Sequence, residues 1–104
     1  MIKSFRSRAT EDIFNGKVNR AAMKICPKKL WKIAFRKLDQ LDSIYSLDEL
    51  RVPPGNRLES LSGKRKGQYS IRINDQYRVC FKWIKSEPID VEITDYHQEN
   101  NTGD

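Results

Sequence analysis

One alternating apolar stretch of this sequence runs through Ile89, Val91 and Ile93 and closes on Asp95-Tyr96-His97, and the stretches before it carry Arg65, Arg72 and Arg78. These residue types suit RNA cleavage that needs no metal. Such a reaction needs a group to deprotonate a ribose 2′-OH, a group to protonate the leaving 5′-oxygen, and cations to hold the charge of the crowded phosphorane. Histidine serves either proton transfer near neutral pH, tyrosine donates or orients, and arginine grips phosphate bidentately. Taken alone, a single histidine beside an acid and a tyrosine is a weak signal.

The elements that must position these groups centre on the residues 67–83, GQYSIRINDQYRVCFKW. Tyr69, Ile71 and Ile73 alternate with Ser70, Arg72 and Asn74. After a polar turn at Asn74-Asp75-Gln76 the alternation resumes through Tyr77, Val79, Phe81 and Trp83, which predicts a β-hairpin with one buried face. Its other face carries Arg72, Arg78 and Lys82, a place for an anion. Gly63 and Gly67 bracket Lys64-Arg65-Lys66 just before it, predicting a basic turn.

The remaining chain supplies a scaffold. Residues 2–5 alternate as a short strand, and Thr10 is the expected N-cap of a helix ended by Asn15-Gly16. Residues 18–24 are ambiguous between helix and loop. The clearest helix covers residues 27–41, with Leu30, Trp31, Ile33, Ala34, Phe35, Leu38 and Leu41 on one arc and Lys28, Lys29, Lys32 and Arg36 opposite. Ser46 with Glu49 has capping-box spacing, Val52-Pro53-Pro54-Gly55-Asn56 reads as a turn, and residues 58–61 as a strand. Lys85-Ser86-Glu87-Pro88 is the expected turn into the last strand, residues 89–96, whose second face carries Asp90, Glu92, Thr94 and Tyr96.

With 104 residues the expectation is one domain, residues 1–97, followed by a polar tail, 98–104. No apolar run is long enough to cross a bilayer and no secretory h-region opens the chain, so the expected location is the cytoplasm, with no membrane partner. Cys26 and Cys80 lack metal-ligand spacing and are expected to be reduced packing residues; no metal and no cofactor are expected. The net charge of +6 is segregated: residues 1–38 hold eleven Lys/Arg against two acids, 39–61 two against five, 62–85 seven against one, and 86–104 none against six. Basic blocks of this kind favour a polyanionic partner.

Three stretches carry a family resemblance: the start, Met1-Ile2-Lys3-Ser4-Phe5; the run 61–81, LSGKRKGQYSIRINDQYRVCF; and the closing Asp95-Tyr96-His97. Together they resemble the HigB-type toxins of the RelE superfamily, over nearly the whole chain. The resemblance implies an α+β, compact microbial RNase-like fold, with N-terminal helices packed on a small, mostly antiparallel sheet. It also implies a toxin that cuts messenger RNA in the A site of the 70S ribosome by 2′-OH attack. A HigA-type helix-turn-helix antitoxin would hold it inactive and alone would contact operator DNA. On this resemblance Arg78 matches the strand arginine that stabilises phosphate, Tyr96 and His97 match the aromatic-histidine pair, Asp95 the preceding acid, and Arg65 the loop arginine. Many members have a histidine before the basic loop and a lysine just before its first glycine, where this chain has Glu59 and Ser62. Glu59 is therefore a candidate base, and Lys64 or Lys66 a substitute cation; Arg72 and Lys82 are supporting charge. The alternative is a non-catalytic protein of the same fold, either a gyrase poison or an RNA-binding module.

Overall fold

The computed structural model describes residues 1–95. The expectations for Tyr96, His97 and a tail at 98–104 lie outside the described residues.

The fold is α+β: among the described residues three α-helices pack on a four-stranded antiparallel sheet of order β1-β2-β3-β4, formed by β1 (Glu59–Ser60), β2 (Tyr69–Arg72), β3 (Tyr77–Ile84) and β4 (Glu87–Asp95). Strand order follows chain order because short turns join neighbouring antiparallel strands. The β2–β3 hairpin forms as its alternation predicts, with Ile71 opposite Val79 and Arg72 opposite Arg78. Asn74 makes the turn: its Oδ1 accepts the backbone N–H groups of Gln76 (2.9 Å) and Tyr77 (2.7 Å).

Residues 2–5 reach the sheet at the outer edge of β4, but as one parallel bridge, Phe5 to Val91, rather than a strand. Lys3 donates to the Pro88 carbonyl and Arg6 to that of Val91. Helix α1 (Arg8–Phe14) is capped by Ser7, not by Thr10 as expected. Ser7 is extended and its Oγ accepts the Thr10 N–H at 3.0 Å. Thr10 is used elsewhere: fully buried, its hydroxyl accepts the Ile93 N–H at 3.0 Å and fastens α1 to β4. Gly16, at φ 75°, closes α1. The ambiguous stretch resolves into α2 (Arg20–Ile25), with Asn19 Oδ1 accepting the Ala22 N–H at 2.8 Å.

The helix expected over 27–41 begins as a 3-10 turn, Lys28–Leu30, and continues as α3 (Trp31–Ser43). Its apolar arc supplies Ala34, Leu38 and Leu41 to the core, against Ile71, Val79 and Phe81 of the sheet. Phe35, on the rim of that arc, stays half exposed and stacks on Phe14. The Ser46–Glu49 capping box forms, over a 3-10 turn Leu47–Arg51. Cys26 and Cys80 are both buried and are not joined in a disulfide, and burial pushes the Cys26 thiol up to about 11.

The last turn differs from expectation. Only Lys85 and Ser86, both at positive φ, make it, a pairing suited to a two-residue hairpin. Glu87 and Pro88 already belong to β4. A bulge then falls where β3 steps from Cys80 to Lys82 and β4 from Glu92 to Ile89, with Asp90 at φ 51°. The extra residue shifts the alternation, so that Pro88 is buried opposite Trp83 while Ile89 pairs with Lys82. The strict alternation predicted through Ile89 therefore fails at that residue. Among the described residues no helix is long and apolar enough to cross a membrane.

Candidate active site

Because residues directly opposite in an antiparallel sheet share a face, the register sorts the candidate residues. Glu59 lies opposite Ser70, Ser70 opposite Cys80, Arg72 opposite Arg78, Arg78 opposite Thr94 and Cys80 opposite Glu92. This is the sheet face away from the helices. The expectation for it is a leftover polar face, a place for an anion. At its centre it is instead buried: Ser70, Cys80, Arg78 and Thr94 are all below a tenth exposed.

Arg78 is the hub, at 6% exposed. A buried guanidinium requires several acceptors to offset its lost hydration. Nε donates to Ser70 Oγ at 2.7 Å, Nη2 donates to the Arg57 carbonyl at 2.6 Å, and Nη1 stands 3.7 Å from Glu59 Oε1. Glu59 itself is 46% exposed at its side chain, so the pair joins a fixed cation to a carboxylate at the solvent boundary. Arg72, directly across the hairpin, would repel Arg78 if both were aimed inward; its Nη2 is drawn instead to Asp75 in the turn.

Arg65 lies in the turn Gly63–Arg65. Its Nη1 donates to Gln68 Oε1 at 2.8 Å and its Nη2 is 3.5 Å from Glu92 Oε1. Glu92 also has Arg6 Nε 3.2 Å from its Oε2, which is buried and has no hydrogen-bond partner among the described residues. Glu92 thus draws Arg6, Arg65 and the basic turn toward the Arg78 face. Lys64 and Lys66 are exposed on that turn, and Lys82 is 3.6 Å from Asp90 at the bulge. The cations expected to crowd this face are therefore divided: Arg65, Arg72, Arg78 and Lys82 each have an acid within ion-pair distance, while Lys64 and Lys66 face solvent.

Asp95 is not brought to Arg78. It lies opposite Tyr77, on the alternate face, and accepts a hydrogen bond from Gln76 Nε2 at 2.8 Å. There it helps to hold the Tyr77 hydroxyl above its usual pKa, behind the larger effect of desolvation. Tyr96 and His97 follow Asp95 directly, beyond the described residues.

Three participants escaped sequence reading. Ser70 was legible in principle, as a small hydroxyl residue between apolar neighbours on a strand. Glu92 was visible only as an acid on an alternating strand. The Arg57 carbonyl gives no side-chain signal at all. Among the described residues no group of three His, Cys, Asp or Glu side chains could hold a metal ion. What the arrangement offers is an exposed carboxylate beside an anchored guanidinium, fronted by a basic turn.

The family model described as the RelE-like toxin of type II toxin-antitoxin system HigB matches residues 3–97. Over 61 residues, 59% of the chain, the sequence is 46% identical to Toxin HigB-1 of Vibrio cholerae and covers 64% of it. Over a stretch of the same length it is 43% identical to an uncharacterized protein of Haemophilus influenzae, covering 60% of that protein. The match thus spans less than two thirds of either relative. Among solved structures, the YoeB-YefM complex from Staphylococcus aureus contains a chain that aligns with a TM-score of 0.56 at 19% identity, over 90% of this chain and 95% of that one. That likeness concerns the fold.

Proposed function

As the chain belongs to the HigB family of RelE-like toxins of type II toxin-antitoxin systems, we propose that it is an endoribonuclease that cleaves messenger RNA in the ribosomal A site. The observation that carries this reading is the Glu59–Arg78 pair. It sets a carboxylate at the solvent boundary beside a cation that is already desolvated and fixed, where electrostatic stabilisation of a phosphorane is strongest.

In the proposed reaction Glu59 takes the proton of the ribose 2′-OH, and O2′ attacks the adjacent phosphorus. The P–O5′ bond breaks, His97 gives its proton to the departing O5′, and a 2′,3′-cyclic phosphate remains. Arg78 holds the charge that develops on the equatorial phosphate oxygens. Tyr96, matched to the family's aromatic-histidine pair, aids leaving-group or base positioning. Lys64 and Lys66, with Arg65 behind them, carry the flanking phosphates. The nucleophile belongs to the substrate, so the scheme needs no metal.

The partner we propose is an antitoxin of the helix-turn-helix kind, which would mask this face or block ribosome entry, and through which alone operator DNA would be bound. The test is the sequencing of RNA ends after induction, with wild type compared with Arg78→Ala and His97→Ala variants shown to be folded. Breaks in register with codons, lost in both variants, support the reading. DNA-damage signalling without breaks would assign the chain to gyrase poisoning instead.

A further inference from the structure

Asn56 has no exposed surface, although it follows a Pro-Pro-Gly turn and precedes an exposed arginine. An amide buried so completely in a loop is expected to be fully hydrogen-bonded. Its Nδ2 lies 3.0 Å from Gln40 Oε1, 3.1 Å from the Leu50 carbonyl and 3.4 Å from the Val52 carbonyl, and its Oδ1 accepts from Lys37 Nζ. Lys37 and Gln40 belong to α3. Gln40 Nε2 also donates to the Val52 carbonyl at 2.7 Å, so the helix grips the loop at two points. Burial, and then Arg36, lower the Lys37 pKa, as fits an ammonium held inside this junction.

The next residue, Arg57, has φ 46° and ψ 58°, a left-handed conformation rare for residues with a side chain. Its N–H donates to the Pro54 carbonyl at 3.1 Å, and its side chain is exposed. The turned backbone points the Arg57 carbonyl at Arg78, whose Nη2 it accepts at 2.6 Å. No side-chain hydrogen bond or ion pair of Arg57 among the described residues depends on this conformation, whereas the direction of its carbonyl does.

We propose that Asn56 and the left-handed Arg57 backbone are a positioning device for Arg78: Asn56 pins the loop to α3, and the Arg57 carbonyl fixes the guanidinium in the plane required to receive phosphate. The inference rests on the phosphate-binding role proposed for Arg78. It makes the helix layer, through Lys37 and Gln40, part of what sets the geometry on the opposite side of the sheet.

Two substitutions at one position test it. Arg57→Gly and Arg57→Val remove the same side chain, but only valine, β-branched, resists φ 46°. A misplacement of about 1 Å costs roughly 100-fold in rate, so Arg57→Val should fall about that far below Arg57→Gly in kcat, with KM little altered. The second readout needs no activity: the Arg78 Nη2–H signal in ¹⁵N NMR, from the group that donates to the Arg57 carbonyl, should exchange slowly in Arg57→Gly and shift and exchange faster in Arg57→Val. Gln40→Ala, which loosens the loop without touching Arg57, should move the same signal in the same direction if Arg57→Val does not fold. Equal rates and equal Arg78 signals in the Gly and Val variants, or an unmoved signal in Gln40→Ala, would overturn the proposal. Absence of cleavage in the wild type would sink the nuclease reading, while the Arg78 signal would still decide the positioning.

Discussion

Glu59 and Arg78 meet across an intervening strand: β1 and β3 do not pair, yet Glu59 Oε1 lies 3.7 Å from Arg78 Nη1, over Ser70 of β2. The contact is possible because Ser70 has a small side chain, and its hydroxyl receives Arg78 Nε. One residue thus both makes room for the guanidinium and orients it.

Glu59→Gln keeps the shape of the side chain and removes its charge and basicity. Cleavage in a ribosome-programmed assay should fall by about 10²–10⁴-fold, the usual contribution of a general base. Stability should change by less than about 1 kcal/mol, since the carboxylate is half exposed and its ion pair screened. Cleavage that survives the change at near wild-type rate would remove Glu59 from the chemistry.

Ser70→Ala acts on the other side of the same arginine. Ser70 is fully buried, so the substitution leaves Arg78 Nε without the acceptor it now uses. The expected cost is about 1–3 kcal/mol in denaturant midpoint analysis, accompanied by lower activity. Ser70→Thr, which keeps the hydroxyl but adds a methyl at a packed site, separates loss of the bond from loss of space.

The hairpin was legible because its signal is local. Alternation of Ile71, Ile73, Val79 and Phe81 specifies one buried face, and Asn74 specifies the turn. The strand ending on Asp95 misled where a bulge intervened, since alternation cannot reveal an added residue and Ile89 and Pro88 exchange sides at Asp90. The Thr10 cap misled because Ser7 and Thr10 are both plausible caps by residue type; only the tertiary use of the Thr10 hydroxyl by Ile93 decides between them. The pairing of Glu59 with Arg78 followed from no spacing. The hairpin alternation pointed to Arg78 and the family resemblance to Glu59, and strand order brought them together.

Lys64 and Lys66 face solvent on the turn before β2, and the role proposed for them is to bind phosphate. The double change Lys64→Gln/Lys66→Gln should therefore leave the melting temperature nearly unaltered while weakening RNA binding across sequences. If each neutralises one phosphate, the slope of log K against log salt on single-stranded RNA should become shallower by about 1.4. An unchanged slope would show that these lysines do not contact the RNA backbone.

Cys26 provides a pH-dependent check on the helical layer. The buried thiol is raised from 9.0 to about 11, so the folded state retains a proton that the unfolded state releases. Its stabilising contribution is complete below about pH 9 and is lost progressively as pH rises through about 11, a decline of about 2–3 kcal/mol at roughly 1.4 kcal/mol per unit. Tyr77, also raised, adds to the fall above pH 10, whereas Lys37, lowered, opposes it. The Cys26 share, together with its own part in raising Tyr77, is therefore read as a difference. Unfolding free energies of wild type and Cys26→Ala, measured from pH 8 to 11, should converge with rising pH, because only the wild type has this thiol to ionise. Parallel curves would mean that the thiol titrates alike in the folded and unfolded chains, and that it is not sealed in the core as its complete burial indicates.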